Sequence, residues 1–367
     1  MGRSLWWVGN GGNWSDDDNH WATESNGTPA DGNLPTSSDD VYFDANSFSA
    51  ADQAVSLTTS GVEKYCKDMD WTGATNTPTL SLEYSGWTDS LEITGSLTMI
   101  DNMEVVTTQT WSGIQIAGDN TVTIDTKGYE FDKVVFYIGY WDTAGTYTLA
   151  SDFYTNNSIY LRPGTFNTAN YKITTPLLDL ESSTLNAGTS TFSFEDLSGW
   201  GYVYFGYYYD DAIINTSNAT FNFEAEANIY CEHVNATLGT VNLNSEDSEV
   251  TLDLYSNDVT ISNLYLALGT DLEISAQNGE ELILGDLDAT GTSGHNITMW
   301  GEQSGATFYP YILSKASGNV VCDYLDLKGS VATGGAHWWA GDNSTDSGNN
   351  RGWIFTDRKY PLPPFSS

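Results

Sequence analysis

The chain has 367 residues, 40% of them hydrophobic and 13% aromatic, and its 49 acidic and 12 basic side chains give a formal net charge of −37. This hydrophobic content can fill a substantial core, so a disordered chain is not expected. A surface this acidic repels nucleic acid and anionic lipid, which argues against both as partners. No apolar run reaches the ~18 residues of a transmembrane helix, so no membrane insertion is expected.

A block rich in Trp, Gly, Asn and Asp opens the chain. Its strand signal is weak before Val41, so residues 1–60 are predicted to form an N-terminal cap or attachment region. The candidate cap or attachment residues are Trp6, Trp7, Trp14 and Trp21. The first residues carry no apolar signal-peptide segment, which favours synthesis in a host cytoplasm without a secretion route.

Residues 61–330 are predicted to form a repetitive β body. Short runs rich in Val, Ile, Thr, Tyr and Phe, such as Thr121–Asp125 and Val250–Leu254, alternate with Gly, Asn, Asp and Ser turns. Alternating apolar and polar residues bounded by turn residues are typical of half-buried strands, and no window has a helical period. The chain is therefore predicted to be all-β.

A frame of apolar-x-x-apolar-x-apolar residues recurs through the body. It begins at Cys66, Phe131, Cys231, Ile261, Leu284 and Cys322. Gaps between copies fit coils of about 22 residues, which predicts a parallel β-helix (β-solenoid) of roughly 11 or 12 coils with Trp/Gly-rich caps. The alternative is a series of tandem β-sandwich modules, which the turn spacing also suits.

The three cysteines are far apart, odd in number and without metal-ligand spacing, so free buried thiols are expected. Each occupies the first position of the repeated frame, which predicts that all three face the interior of the solenoid. A disulfide framework is not expected.

Residues 331–367 form a closing block that combines a second Trp/Gly cap with a Pro-rich tail. The candidate cap or attachment residues here are Trp338, Trp339 and Trp353. Three of the nine prolines follow residue 357, and this composition indicates an extended tail against the chain itself or a neighbour.

The two end blocks resemble known surface proteins. The first resembles the start of bacterial autotransporter-associated β-strand repeats and of some phage structural proteins. The last is similar to the C-terminal block of phage and environmental surface proteins. The resemblance covers roughly 45 and 35 residues, implies a parallel β-helix or related fold outside a cell or on a virion, and carries no catalytic residues. The chain lacks an autotransporter's translocating barrel, which favours the phage branch.

Two aromatic runs are the best binding candidates, since alternate residues of a strand face outward or into a subunit interface. The candidate glycan-binding or interface residues are Tyr137, Tyr140, Trp141, Trp200, Tyr202, Tyr204, Tyr207, Tyr208 and Tyr209. Packing within the core or across trimer contacts is the competing interpretation.

Asp342, Ser344 and Asp346 present alternate oxygen ligands and form the candidate calcium loop, although the EF-hand pattern is not met. No other cofactor is expected. Carboxylates are plentiful, but no local motif singles out a catalytic pair and basic side chains are scarce, so a non-enzymatic protein is predicted. A polysaccharide depolymerase is the rival.

These features favour a non-enzymatic phage structural protein on the virion surface: a capsid decoration protein, head fibre or tail fibre. A homotrimer in contact with capsid or tail proteins, and a host surface glycan as a further partner, are the expected associations. The alternatives are a glycan-binding tailspike or adhesin with or without depolymerase activity, and a bacterial extracellular adhesin or filament subunit at the cell surface.

Overall fold

The protein is a parallel β-solenoid of about 11 turns, with 53% of residues in strands and 1% in helix. This finding confirms the all-β class and the parallel β-helix body, and it excludes tandem β-sandwich modules. The structure, a computed structural model, describes residues 2–58, 64–83, 90–107, 109, 112–139, 144–195, 201–206, 212–231, 234, 236–255, 257–276, 279–304 and 307–356.

The chain divides into two compact units, Met1–Ser193 (unit 1) and Phe194–Ser367 (unit 2). This division falls inside the predicted β body of residues 61–330. The boundaries predicted at residues 60 and 330 follow changes in composition, and they stay predictions.

The described residues of unit 1 form one short helix and 23 short strands, the last of which extends one residue past the unit boundary to Phe194. In chain order the elements are β1 (Ser4–Trp7), β2 (Gly12–Asn13), α1 (Asp17–His20), β3 (Trp21–Ala22), β4 (Asp40–Tyr42), β5 (Ala54–Leu57), β6 (Tyr65–Cys66), β7 (Met69–Asp70), β8 (Thr79–Leu82), β9 (Leu91–Ile93), β10 (Leu97–Thr98), β11 (Glu104–Thr107), β12 (Ser112–Ile116), β13 (Thr121–Asp125), β14 (Glu130–Phe131), β15 (Val134–Ile138), β16 (Gly145–Leu149), β17 (Phe153–Thr155), β18 (Ser158–Leu161), β19 (Gly164–Asn167), β20 (Ile173–Thr174), β21 (Leu177–Leu180), β22 (Ser183–Asn186) and β23 (Thr191–Phe194).

Each coil of unit 1 adds a strand to parallel stacks. One stack runs through β4, β7, β10, β13, β16, β19 and β22, and another through β6, β9, β12, β15, β18 and β21. A separate four-stranded sheet stacks β2, β5, β8 and β11. A further parallel stack runs through β14, β17, β20 and β23. Only β1 and β3 of the named unit 1 pairs run antiparallel. Each coil therefore satisfies the backbone hydrogen bonds of the next.

The coil length varies along unit 1. Ser96 bonds across one coil to Asp68, 28 residues earlier. Asn186 donates its side-chain amide to the Asn167 oxygen at 2.8 Å, only 19 residues earlier. These repeats bracket the predicted coil of about 22 residues.

Strand alternation places one set of side chains inside. In β13, Val122 and Ile124 are buried while Thr121 and Thr123 are exposed. Tyr147 stacks in register above Phe166, which stacks above Leu185, and these three are at most 3% exposed. The interior is thus a filled core of stacked apolar side chains rather than a channel.

Large aromatic side chains fill the first coils of unit 1. They are Trp7, Trp14, Trp21, Phe43, Phe48 and Trp71, none more than 2% exposed. Phe43 and Trp71 stack with ring centroids 3.6 Å apart, and Trp21 meets Trp7 edge-on at 5.1 Å. Trp6, the neighbour of Trp7 on β1, points the other way, is half-buried and stacks on Tyr42 at 5.0 Å. Three of the four N-terminal cap candidates therefore belong to the interior.

A buried carboxylate, Asp39, fixes the segment before β4. It accepts hydrogen bonds from the Arg3 side chain at 2.6 and 3.1 Å, from the Arg3 backbone at 2.7 Å and from Thr36. Burial alone would raise the pKa of Asp39, but these hydrogen bonds hold the pKa well below its usual range. The turn from Thr36 to Asp39 therefore has a structural role, because it ties the start of the chain at Arg3 to the segment before β4.

Unit 2 continues with fewer, longer strands. They are β24 (Gly201–Phe205), β25 (Ile213–Phe223), β26 (Ala227–Cys231), β27 (Thr237–Leu243), β28 (Glu249–Asp253), β29 (Val259–Leu266), β30 (Asp271–Ser275), β31 (Glu281–Asp288), β32 (Ile297–Gly301), β33 (Gln303–Ser304), β34 (Thr307–Phe308), β35 (Tyr311–Lys315), β36 (Asn319–Val321), β37 (Leu325–Lys328), β38 (Ser330–Gly334), β39 (His337–Trp339), β40 (Thr345–Asp346) and β41 (Trp353–Ile354).

Parallel stacks also build unit 2. One follows β25, β27, β29, β31, β35 and β38. A second follows β24, β26, β28, β30, β32, β37 and β40, and a short third follows β36, β39 and β41. The register of β25 shifts between Thr216 and Thr220, where the long strand turns a corner. A Cβ on Gly239 would lie 2.2 Å from the Ala219 carbonyl oxygen, so this corner requires glycine.

Every apolar position of the six repeated frames is buried. The three cysteines are free and buried, as predicted. Two of the six frames stack on each other, since Ile261 pairs with Leu284 and Leu264 pairs with Leu287. Cys66 pairs with Ile93 and Cys231 pairs with Phe205, so the cysteines face the interior without forming a column of their own.

Replacing Trp7 with Ala is expected to lower the free energy of unfolding by about 3–5 kcal/mol, because the change leaves a cavity in a closed aromatic cluster. Trp6→Ala is the matched control and should cost about 1 kcal/mol, since Trp6 mainly loses its stacking on Tyr42. Chemical denaturation followed by tryptophan fluorescence measures both. Equal losses would contradict the assignment of Trp7 to the core.

Asp39→Ala is expected to cost about 2–3 kcal/mol at pH 7, because the Arg3 guanidinium and the Thr36 amide lose a charged partner. The folded-state pKa lies below the unfolded value, so this stabilisation is complete above the usual aspartate pKa of about 4 and disappears as the pH falls below it. Denaturation midpoints at pH 7 and pH 3 test this. Asp40→Ala, which removes a partly exposed ion pair with Lys67, should cost about 1 kcal/mol or less.

Candidate functional site

The outer face of one sheet of unit 2 collects aromatic and acidic side chains. Successive strands pair in register, so outward residues form rows across β24, β26, β28, β30, β32 and β37. We call these rows the acidic-aromatic face: Tyr202, Asn228, Thr251, Glu273, Trp300 and Lys328; Tyr204, Tyr230, Asp253 and Ser275; and Glu249, Asp271, Thr298 and Asp326.

Three tyrosines form a stack at one end of this face. The Tyr204 ring is parallel to the Tyr230 ring within 4° at a centroid distance of 4.7 Å. It is parallel to the Tyr202 ring within 3° at 6.1 Å. Such separations describe offset rings, and all three side chains are half-buried, so part of each ring lies at the surface.

Carboxylates occupy the middle of the face. Burial raises the pKa of Asp253, and the negative charges of Glu302 and Glu280 raise it further against the hydrogen bond from the Tyr255 backbone. Burial likewise raises the pKa of Glu273, with further contributions from Glu302, Asp271 and Asp253. Like charges in neighbouring rows therefore oppose one another's ionisation.

Hydrogen bonds hold two of these acids in place. The indole nitrogen of Trp300 donates to Asp271 Oδ1 at 2.6 Å. Burial is the main cause that raises the pKa of Asp271, and this hydrogen bond opposes the shift. The buried Ser275 hydroxyl donates to Glu302 Oε2 at 2.6 Å, which adds an acid from the end of β32 to the same surface.

Asn228 lies between the tyrosines and the acids. It follows Tyr202 and precedes Thr251 in its row, and it is only 7% exposed. Its side-chain amide is not among the fully buried polar atoms that lack a partner. An amide at this position can both donate and accept hydrogen bonds.

A second outward aromatic pair belongs to unit 1. Tyr137 and Tyr160 pair in register and stack at 5.1 Å, and Arg162 lies 5.0 Å from the Tyr160 ring centre. Arg162 also pairs with Asp179 and with Glu181, both at 3.2 Å. Tyr137 is only 7% exposed, so this binding candidate is a packed residue.

The predicted aromatic candidates thus fall into three groups. Tyr202 and Tyr204 belong to the acidic-aromatic face, and Tyr137 is buried elsewhere. The other six lie outside the described residues: Tyr140, Trp141, Trp200, Tyr207, Tyr208 and Tyr209. The Pro-rich tail from residue 357 also lies outside them.

The C-terminal cap candidates pack together. Trp338 and Trp339 are 2% exposed, and Trp338 meets the half-buried Trp353 edge-on at 5.2 Å. Trp353 donates to the Ser330 hydroxyl at 2.9 Å, and Trp338 to the Thr333 carbonyl at 3.1 Å. These contacts join β39 and β41 to β38.

In the candidate calcium loop, the side-chain oxygens of Ser344 and Asp346 take part in hydrogen bonds within the protein. The Ser344 hydroxyl donates to the Ala340 carbonyl and accepts from the Leu325 backbone at 2.7 Å. Asp346 Oδ1 accepts from Asn350 at 2.6 Å, and Asp342 is exposed. Among the described residues, no group of three His, Cys, Asp or Glu side chains is placed to hold a metal ion. Calcium at this loop stays a prediction.

Sequence reasoning missed most of the acidic-aromatic face. The alternation in Val250–Leu254 does indicate that Thr251 and Asp253 point outward. It does not indicate which outward residues of other coils lie beside them. The sequence therefore did not predict that Glu273, Asp271 and Trp300 belong to one surface.

No protein-family model, no curated protein and no solved structure matches the chain. No helix within the described ranges is long and apolar enough to cross a membrane.

Asp253→Asn is expected to raise the thermal midpoint at pH 7 by roughly 1–2 °C, a small change because solvent screens a half-buried carboxylate. The folded-state pKa is raised, so ionisation disfavours folding above that pKa, and the penalty disappears as the pH falls toward 4. Differential scanning calorimetry at pH 7 and pH 4 measures the difference. Asp288→Asn, at an exposed site on β31, is the control; a gain for Asp253→Asn that persists at pH 4 would contradict the electrostatic cause.

Proposed function

We propose that this chain is a non-enzymatic structural protein displayed on the surface of a phage virion, as a capsid decoration protein or fibre. The observation that carries the proposal is the filled interior, in which apolar columns such as Tyr147, Phe166 and Leu185 occupy the space inside the coils. A body of this kind is a scaffold that presents its outer faces.

The charge and the end blocks support the same function. A net charge of −37 keeps a β-rich particle protein soluble at high local concentration and limits association through strand edges. The resemblance of both end blocks to phage and bacterial surface proteins points to an exterior location. Association as a homotrimer with capsid or tail proteins is part of this proposal.

Electron cryo-microscopy of the particle that contains this chain tests the proposal. We expect repeated copies of a β-solenoid on the capsid or along a fibre, at sites where antibody against the purified chain also binds. Density for the chain only in free bacterial filaments would overturn the virion assignment and would support the bacterial adhesin instead.

A glycan-binding tailspike with depolymerase activity is the second candidate. The raised pKa values of Asp253 and Glu273 favour it, because the general acid in glycoside hydrolysis is a carboxyl group with a raised pKa. The non-enzymatic proposal predicts no release of reducing ends from host polysaccharide. If the chain releases reducing ends and Asp253→Asn abolishes this release, the non-enzymatic proposal is wrong and the chain is a depolymerase.

A further inference from the structure

The aromatic half of the acidic-aromatic face is suited to sugar rings. Tyr202, Tyr204 and Tyr230 present near-parallel rings at the surface, and Trp300 lies further along the row of Tyr202. Aromatic rings combine large apolar contact area with low conformational-entropy cost on binding. The rings are spread over strands about 4.8 Å apart, so six strands span roughly 24 Å. This extent fits a chain of several sugars rather than a single sugar.

The acidic half of the face determines which charge a bound glycan can carry. Asp253, Asp271 and Glu273 each have a raised pKa, with burial as the main cause and neighbouring acids adding to it. The rows contain one basic residue, Lys328, whose ammonium lies 5.1 Å from the Phe308 ring centre. A cationic ligand would relieve the mutual repulsion of these acids, whereas an acidic glycan would increase it.

A metal ion fits this arrangement less well. Asp253 Oδ1 already accepts from the Tyr255 backbone at 2.9 Å, and Asp271 Oδ1 accepts from Trp300. No three acidic, His or Cys side chains among the described residues are placed around a common metal position. An ammonium group needs only one or two carboxylate oxygens at a time, so separated acids can each bind one.

Asn228 adds a hydrogen-bonding group to this face. It lies on the outward row between the tyrosines and the acids and is 7% exposed. Sugar hydroxyl groups both donate and accept hydrogen bonds, so they can satisfy the two ends of an amide.

We propose that the acidic-aromatic face binds a glycan chain that carries free amino groups. The tyrosines stack on sugar rings, Asn228 bonds ring hydroxyls, and Asp253, Asp271 and Glu273 pair with ammonium groups. This inference rests on the proposed function only in requiring that the face be displayed outside the cell.

Isothermal titration calorimetry of the full chain at pH 7 and low salt tests the inference. The probes are a β-1,4-linked glucosamine hexamer and the N-acetylated hexamer of the same length. We expect the glucosamine hexamer to bind at least about 10-fold more tightly, because the acetyl groups remove the positive charges. Its affinity should fall as salt is added.

Two variants locate the site. The double variant Asp253→Asn with Glu273→Gln should weaken binding of the glucosamine hexamer at least about 10-fold while preserving volume. Tyr230→Ala should weaken both hexamers. The matched control combines Tyr265→Ala with Asp288→Asn, an exposed tyrosine and acid that pair in register on β29 and β31 of the other sheet; it should bind as the unmodified chain does. Circular dichroism confirms that each variant is folded.

Equal affinity for the two hexamers would overturn the charge selection, and so would equal losses in the acid variant and the control. Absence of binding to both hexamers would overturn the inference as a whole. Neither result bears on the virion assignment, which the position of the chain on the particle tests separately.

Discussion

The parallel register between successive coils is the constraint on which the rest of the structure depends. Each strand pairs with its equivalent one coil later, so a side chain is stacked on the residue at the same position of the next coil. Inward columns are apolar, as in Tyr147, Phe166 and Leu185. Outward columns bring like side chains together, as in Tyr204 with Tyr230. A substitution at one position therefore changes the contacts of the neighbouring side chains in the same column.

The same register creates the electrostatic character of the acidic-aromatic face. A chain with few basic residues that stacks its coils in parallel must place acids beside acids, as with Glu249 and Asp271. Where these acids are also partly desolvated, as at Asp253 and Glu273, ionisation becomes costly. Natural proteins retain such locally unfavourable arrangements mainly at functional sites. In the opening block, Arg3 pairs with Asp39, and the acid there is strongly stabilised in its charged form.

Sequence reasoning identified the class of fold because strand alternation and turn composition are local. It also identified buried positions, since all apolar residues of the repeated frames face the core. It did not place the frames. Cys66 ends β6, whereas Ile261 lies within β29, because the same pattern can describe a turn between two strands or a corner inside one long strand. The tryptophans of the end blocks are conspicuous in sequence, yet Trp7 and Trp338 are core residues whose burial depends on long-range packing.

The sequence by itself determined that the chain is all-β, that it repeats in coils, and that Asp253 alternates outward from Leu252. Only the tertiary structure decided which outward residues meet. Coils differ in length, with for example 19 residues between Asn167 and Asn186 and 28 between Asp68 and Ser96, so no fixed spacing in sequence predicts the register. A shift of one residue would move every side chain to the opposite face. The acidic-aromatic face therefore exists only once the interior columns have fixed the alignment of its strands.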